Sequence, residues 1–600
     1  MFQTTFTILT AVCLSSATLF AQSIDRDAAR KVLAEFDPII QQTLEEFNIP
    51  GLAIGVLVDG EIVYSNGFGK RNIDQDLRVT TDTVFGLGSC TKAFTTFVAS
   101  SLVEEGKLSW DRPIVDVLPN FRLSNDHATS HITLRDLLAH RSGLARHPYL
   151  YYNSTFTRAD LFQKLRHLDF AWDLRERFNY GDLMYLPAAF AFEAVTGKNW
   201  ETLVSEKILS PLNMSRTSFT IDEMQKSDDF ATPYIEKNGA IKSMAFRDFS
   251  NIGPAATMNS SVNDMMNWTK MLLDGGTFDS KSLLSPNYLQ EMFGSQIIAS
   301  SYAEIPDVLL SAYGLGWYVH PYAGNYLVSH DGGVDGFVSV VSLFPNSRIG
   351  IVILANKNLT TLPRFLSMEI ADKLLGVPSH DWIQMARNSL ENAKKSSVEG
   401  GEISESLKKS GTSTSHPIED YVGTYEHPAY GMLDVELVDG HLITSLNGIK
   451  SKLEHWHYDV FSLEEDLEDL LIPRKGMKFS FRANSSGHID SLSVPLEIKT
   501  ADIVFTKIQN SKFSNPAYFK AFIGPYEIYG ISVDIVLRNG NLFALIPGQS
   551  DYELEPMAEN EFNVKNDNYL VRFIMGEDGL ASEVMLVLPF GAYSAERVRQ

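Results

Sequence analysis

The second half of this chain is written twice. Residues 421–426 read Tyr-Val-Gly-Thr-Tyr-Glu and residues 522–527 read Phe-Ile-Gly-Pro-Tyr-Glu. Leu433-Asp-Val-Glu-Leu-Val-Asp-Gly-His-Leu442 is likewise answered by Val533-Asp-Ile-Val-Leu-Arg-Asn-Gly-Asn-Leu542, and the match runs on from Phe461, Phe481 and Gly487 to Phe562, Phe573 and Gly579. Two long copies specify tandem modules rather than a stacked solenoid. Within each copy apolar residues alternate, and Asp-Gly or Asn-Gly dipeptides separate the runs, which is the pattern of hairpins with one buried face. The expectation is two small all-β, barrel-like domains, over 417–510 and 515–600.

Ahead of the repeat, residues 389–416 are mostly Ser, Glu, Lys and Gly, the composition of a polar linker. The text over 25–377 is different, mixing both periodicities. Gly51–Val58 and Glu61–Tyr64 flank an Asp59-Gly60 turn, and strand-like runs return at Gly314–His320, Tyr326–Ser329, Phe337–Phe344 and Ile349–Asn356. Between them the pattern is helical, as at Lys92–Glu105 stopped by Gly106 and at Leu183–Val195 stopped by Gly197. Strands at both ends with helices between predict an α+β domain: one antiparallel sheet assembled from distant segments, with a helical subdomain beside it.

Charge and the N-terminus narrow the function classes. Lys and Arg number 51 against 74 Asp and Glu, a net charge of −23, which repels phosphate backbones and disfavours nucleic-acid partners. No charged residue occurs before Asp25, and the apolar run ending at Leu19-Phe20-Ala21 reads as a signal peptide over 1–21. A secreted protein is therefore expected, extracellular or at the cell surface or periplasm. No later run reaches the roughly 18 apolar residues of a membrane span, so no transmembrane segment is expected. Cys13 would leave with the signal, and Cys90 alone makes no internal disulfide.

The residues that carry chemistry begin at Phe85-Gly-Leu-Gly-Ser89-Cys-Thr-Lys92. Ser89 stands where a Gly-rich approach meets a helix, and Lys92, three residues on, shares its helix face. A hydroxyl needs a proton acceptor to become a nucleophile, which a neighbouring lysine helps to supply. A helix N-terminus adds free N–H groups for a developing oxyanion.

The wider series Thr83–Phe94, Leu102-Val-Glu-Glu-Gly-Lys-Leu108, Asp111-Arg-Pro-Ile, Leu118-Pro-Asn-Phe and Ile132–Leu144 resembles, in order and spacing, the serine β-lactamase and penicillin-binding-protein superfamily. The resemblance is to its class C-like branch of DD-carboxypeptidases, D-aminopeptidases and esterases, and covers roughly residues 30 to 375. It implies Ser89 as nucleophile and Lys92 as its partner. Phe178-Asn-Tyr180-Gly-Asp182 fills the place of the family's Y-x-N motif, making Tyr180 the base partner. Asp182 stands where Asn is expected; a carboxylate there only accepts hydrogen bonds and favours a protonated Lys92, which makes Tyr180 the expected proton acceptor. Val328-Ser-His330-Asp-Gly332-Gly333 fills the third motif, with Gly333 supplying an oxyanion N–H, Gly332 admitting substrate to the strand edge, and His330 facing the substrate as a weak cation near neutral pH. His140, in Leu138-Ala-His-Arg-Ser-Gly, carries no catalytic expectation.

The resemblance implies a serine hydrolase of the β-lactamase and DD-peptidase type, needing no metal or cofactor. Its substrate would be a small D-amino-acid peptide, a β-lactam or an ester. A second reading, from the acidity, the change at Asp182 and the added β modules, is an extracellular binding, cell-wall or matrix protein with little turnover. His455 and His457 share a strand face, but two ligands are too few for a structural metal site.

Overall fold

The computed structural model describes residues 24–301, 306–308, 310–466, 470, 474–508, 516–567, 569–588 and 591–598. The expected signal peptide over 1–21 lies outside them.

The N-terminal part is built on one nine-stranded antiparallel sheet. Its strands are β1 (Gly51–Val58), β2 (Glu61–Asn72), β3 (Leu77–Arg78), β4 (Ile297–Ser300), β5 (Ser311–Tyr313), β6 (Tyr318–Tyr322), β7 (Asn325–Val334), β8 (Phe337–Phe344) and β9 (Ile349–Ala355), in the order β4-β5-β6-β7-β8-β9-β1-β2-β3. The two ends of this part meet where Leu52 pairs with Ala355 and Val58 with Ile349, so the helical subdomain is inserted between paired strands. Both β1 and β9 are buried along their whole length, as a central pair covered on two faces must be.

Each face has its own core. On one side α1 (Arg26–Ala34), α2 (Asp37–Glu46) and α6 (Leu362–Leu375) cover residues such as Leu52, Ile54, Ile351 and Ile353. On the other, α3 (Thr91–Glu104), α4 (Pro148–Tyr151) and α5 (Tyr185–Thr196) belong to the helical subdomain. Residues Thr91 to Leu102 of α3 are all buried, which marks a central helix rather than an amphipathic surface one. Trp268 stacks on Phe94 with ring centroids 4.3 Å apart and fixes the helix from one side.

The repeat forms two closed eight-stranded barrels. The first comprises β10 (Gly423–His427), β11 (Gly431–Val438), β12 (His441–Leu446), β13 (Ile449–His457), β14 (Val460–Asp466), β15 (Lys478–Ala483), β16 (Ile489–Val494) and β17 (Ile503–Lys507). The second comprises β18 (Gly524–Ile528), β19 (Ile531–Arg538), β20 (Asn541–Leu545), β21 (Tyr552–Ala558), β22 (Glu561–Val564), β23 (Leu570–Met575), β24 (Ala581–Leu588) and β25 (Gly591–Arg597). The repeated motif has a mechanical role. Tyr425 donates to the Tyr421 carbonyl and Tyr526 to the Phe522 carbonyl, each at 2.8 Å, while Gly423 and Gly524 hold φ of 152° and 153°. L side chains rarely adopt that conformation, so the middle position of the motif selects glycine.

Residues 389–416, expected to be polar linker, differ in their first part. They continue a helix, α7 (Trp382–Ser406), anchored by Trp382, whose indole N–H donates to Asp372 at 2.6 Å. Glu, Lys and Ala extend a helix once its first turns are fixed by packing, which composition alone does not register. Among the described residues no helix is long and apolar enough to cross a membrane.

Candidate active site

Ser89 lies in a single 3₁₀ turn, Gly88–Cys90, running directly into α3. The turn is clamped by backbone contact with β7. A Cβ on Gly332 would fall 1.9 Å from the Leu87 carbonyl oxygen, and one on Gly88, whose φ is +50°, would fall 2.6 Å from the Gly333 nitrogen. Only glycine permits so close an approach. Ser339 of β8 donates to the Leu87 carbonyl at 2.6 Å and Cys90 to the His330 carbonyl at 3.2 Å, so two strands hold the nucleophile turn. Cys90 is thereby a buried structural thiol, pushed up to about 12 by burial.

Lys92 is fully buried and its ammonium makes three bonds, to Ser89 Oγ at 3.2 Å, Asp182 Oδ1 at 2.5 Å and the Ala255 carbonyl at 3.1 Å. Three donors meet three acceptors, which accounts for the whole of its hydrogen-bonding capacity. Asp182, in the loop before α5, takes Tyr151 Oη on its other oxygen at 2.6 Å, with Arg146 Nη2 at 3.6 Å. Burial works to raise the Asp182 pKa, but Lys92, Arg146 and Tyr151 outweigh it and hold the carboxyl well below the usual range. Burial draws Lys92 below the ordinary lysine value, opposed by Asp182.

Tyr180 is brought to the same place, its ring centroid 4.7 Å from Lys92 Nζ. Its buried hydroxyl makes no hydrogen bond of standard geometry among the described residues, but Ser89 is close enough to act on it. Burial, followed by the Asp182 charge, pushes its pKa well above that of a free phenol. Ser89 and Arg146 oppose that shift, and Tyr180 stands beside Lys92 at the nucleophile turn. Lys92 touches Ser89 directly, and burial lowers its pKa.

His330 lines the same cavity but is not a cation. It is 2% exposed; Nδ1–H donates to the Asp331 carbonyl at 2.6 Å, and Nε2 accepts from Tyr313 Oη at 3.0 Å. Burial, with Lys92 adding to it, pushes the imidazole down to about 3. The expected cationic role near neutral pH is withdrawn for that reason. His140 packs behind Tyr180 at 4.3 Å between ring centroids and accepts from the Gly181 N–H at 3.3 Å. Burial holds it well below the ordinary histidine value, so it is a neutral support for the Tyr180–Asp182 loop.

The cavity over Ser89 has a volume of about 370 Å³ and is walled by Phe178, Tyr180, Tyr318 and His330, with Arg364 of α6 at its far side. Sequence reasoning missed Arg146, Tyr151 and Arg364. A buried carboxylate at Asp182 demands donors, but the sequence does not say which, since Arg175 and Arg177 lie nearer to it in the chain than Arg146 and Tyr151 do.

A further set of residues comes from the first barrel, which docks on that same segment. Asn447 donates to the Tyr149 and Tyr152 carbonyls at 2.7 and 3.1 Å, and Asn153 returns a bond to the Asn447 carbonyl at 2.8 Å. Glu497 accepts from the His147 N–H at 2.8 Å, Tyr430 donates to His147 Nδ1 at 2.9 Å, and Lys499 donates to Asn179, next to Tyr180. The barrel thus braces α4, whose Tyr151 holds Asp182.

Comparison with known proteins shows the family and the fold. A family model described as Beta-lactamase matches residues 36–374, and one described as Domain of unknown function (DUF3471) matches residues 407–507. The chain is 28% identical over 420 residues to unguisins hydrolase ungD' of Aspergillus campestris (strain IBT 28561), covering 67% of this chain and 77% of that one. It is 26% identical over 337 residues to protein flp of Staphylococcus aureus (strain NCTC 8325 / PS 47), covering 55% and 64%. In fold it is similar to the octameric penicillin-binding protein homologue from Pyrococcus abyssi, at 21% identity and a TM-score of 0.51 over 86% of this chain and 98% of that one.

Proposed function

We propose, from the premise that this chain belongs to the beta-lactamase family of serine hydrolases, that it cleaves an amide or ester bond through an acyl-enzyme on Ser89. The observation that carries the proposal is the continuous chain from Ser89 Oγ through Lys92 to Asp182. Ser89 attacks the carbonyl carbon, and its proton enters the Lys92–Asp182 pair, Lys92 taking it as one of its own protons shifts toward Oδ1. Such a pair titrates as a unit rather than as two independent groups. Tyr180, beside Lys92, gives its proton to the leaving group and regains one from the pair. The Ser89 and Gly333 N–H groups act as the oxyanion donors, a role supported by the close approach of Gly88 to Gly333, and water then releases the acyl group.

The aromatic walls suit an acyl or amino-acid side chain of moderate size, and Arg146 and Arg364 are the permanent cations near the cavity for an anionic substrate. The relatives named unguisins hydrolases support hydrolysis as the outcome. D-amino-acid peptides, β-lactams and small esters are the substrate classes we propose, and the uncharged N-terminal segment supports export to an extracellular or periplasmic site of action. The test is turnover of a panel holding one member of each class, by the full chain and by Ser89→Ala. Turnover of at least one member that disappears with Ser89→Ala is expected. No turnover of any member would favour the binding or matrix reading.

A further inference from the structure

The two barrels share a sequence pattern but not an interior. At matched positions Phe505 and Phe479 of the first barrel become Ala595 and Val571 in the second, and both phenylalanines are buried. Tyr430, also buried in the first barrel, lies in the β10–β11 connection of 428–430, whereas β18 and β19 are joined by Tyr529-Gly530 alone. Three large rings that fill one end of the first barrel are therefore missing from the second.

The other end of the second barrel is filled. Phe519, Phe522, Tyr526, Phe562 and Phe573 pack there. Among the described residues the opposite end holds an apolar cavity of about 210 Å³, walled by residues including Ile535, Leu554, Val571, Leu586 and Ala595. Gln549 and the tyrosines Tyr552, Tyr569 and Tyr593 are the polar contribution, and no described lining residue is charged. Leu586, whose counterpart Val494 is fully buried, stays half-buried, and Tyr593 is 44% exposed where its counterpart Ile503 is 4%. The corresponding end of the first barrel is also the end covered by its docking on the helical subdomain, through Tyr430 and Asn447.

Closing eight strands leaves an interior that is either filled by side chains or holds one small ligand. An apolar cavity of about 150 Å³ in a protein core stays dry and takes up benzene, so a larger one with an open end is a site for an organic guest. We propose that the second barrel binds a small uncharged apolar molecule, of a size between a single aromatic ring and a medium-length aliphatic chain, in the half left empty by Ala595 and Val571. Its ring or chain lies against the aliphatic wall, and any hydroxyl or carbonyl end meets the tyrosines and Gln549 at the mouth. This site is separate from Ser89 and does not depend on the hydrolase reading.

The test uses the full chain with 2-naphthol, uncharged at neutral pH, as fluorescent probe and 1-decanol and decanoate as competitors. Saturable binding is expected, displaced by the alcohol at least tenfold more effectively than by the carboxylate. Binding is expected to be unchanged in Ser89→Ala and weakened at least tenfold in Val571→Phe/Ala595→Phe, which restores the rings of the first barrel. That double variant must keep the wild-type circular dichroism and Ser89 labelling; should it fail to fold, Ala595→Leu, which narrows one wall, carries the same test. Absence of saturable binding would overturn the proposal, as would binding that survives the filled cavity. Preference for the carboxylate, or a stable dimer in sedimentation that excludes the probe, would overturn it too, the latter assigning the opening to a second copy of the chain.

Discussion

Replacing Asp182 by Asn tests the electrostatics of the site at nearly constant volume. The amide oxygen can still accept from Lys92, but its NH₂ cannot accept from Tyr151, and Arg146 loses its anion. A buried ammonium is left with no countercharge. Breaking such a pair costs about 3–5 kcal/mol, and deprotonating a lysine at pH 7 costs roughly 4.6 kcal/mol, so the second route caps the first. The expected loss is thus about 3–4.5 kcal/mol at pH 7. With its folded pKa far below its unfolded one, Lys92 in the variant binds fewer protons folded than unfolded. Stability then rises with pH, by about 1.4 kcal/mol per unit, from the folded pKa up to roughly 10.4. Urea unfolding followed by tryptophan fluorescence reads the right part of the molecule, because Trp456 is the only tryptophan after Trp382. Labelling of Ser89 by a fluorophosphonate should fall at least tenfold at pH 7 and recover toward pH 9.5 as Lys92 becomes neutral. Equal stability and an unchanged labelling profile in Asp182→Asn would refute the charged-pair account.

Three further outcomes follow from the same geometry. Across pH 5.5 to 8 a carboxylate-bearing and a neutral ester substrate should keep a constant ratio of kcat/KM, because His330 is neutral above about 3; a ratio falling with a midpoint near 6 and abolished by His330→Asn would restore its cationic role. Tyr151→Phe removes a hydrogen bond to a buried carboxylate and should cost about 1.5–3 kcal/mol in unfolding while slowing Ser89 labelling; a neutral effect on both would free Asp182 from that partner. Asn447→Ala lies outside the cavity yet should slow labelling several-fold, and labelling at the wild-type rate would show that the first barrel does not brace α4.

What was legible in the sequence is what is local. Ser89 and Lys92 sit one helical turn apart, Gly332 and Gly333 adjoin in one strand, and the duplicated motif, an aromatic residue followed by x-Gly-x-Tyr, carries its own backbone conformation, so each is fixed by its neighbours in the chain. The sheet from β1 and β9 was also readable, since two runs that are apolar throughout must be buried on both faces. Burial supplied by distant segments was not readable. His330 gives no sign of its burial in the sequence until Tyr313 and Tyr180 close around it. Tyr151 and Arg146 carry no motif, because their role is defined only by the carboxylate they reach. The start of the expected linker is helical because Trp382 anchors it, a packing fact absent from the composition of 389–416.

The central claim is that Ser89 carries the acyl group, and the most direct measurement is the mass of the trapped intermediate. The full chain is mixed with excess activated ester, quenched in acid within the first turnovers, weighed intact and digested for site mapping. A mass gain of one acyl group, located on the peptide containing Ser89 and absent in Ser89→Ala and Lys92→Ala, is the predicted result. Product release with no covalent species at any quench time, or an acyl group on another residue with Ser89 unmodified, would contradict it.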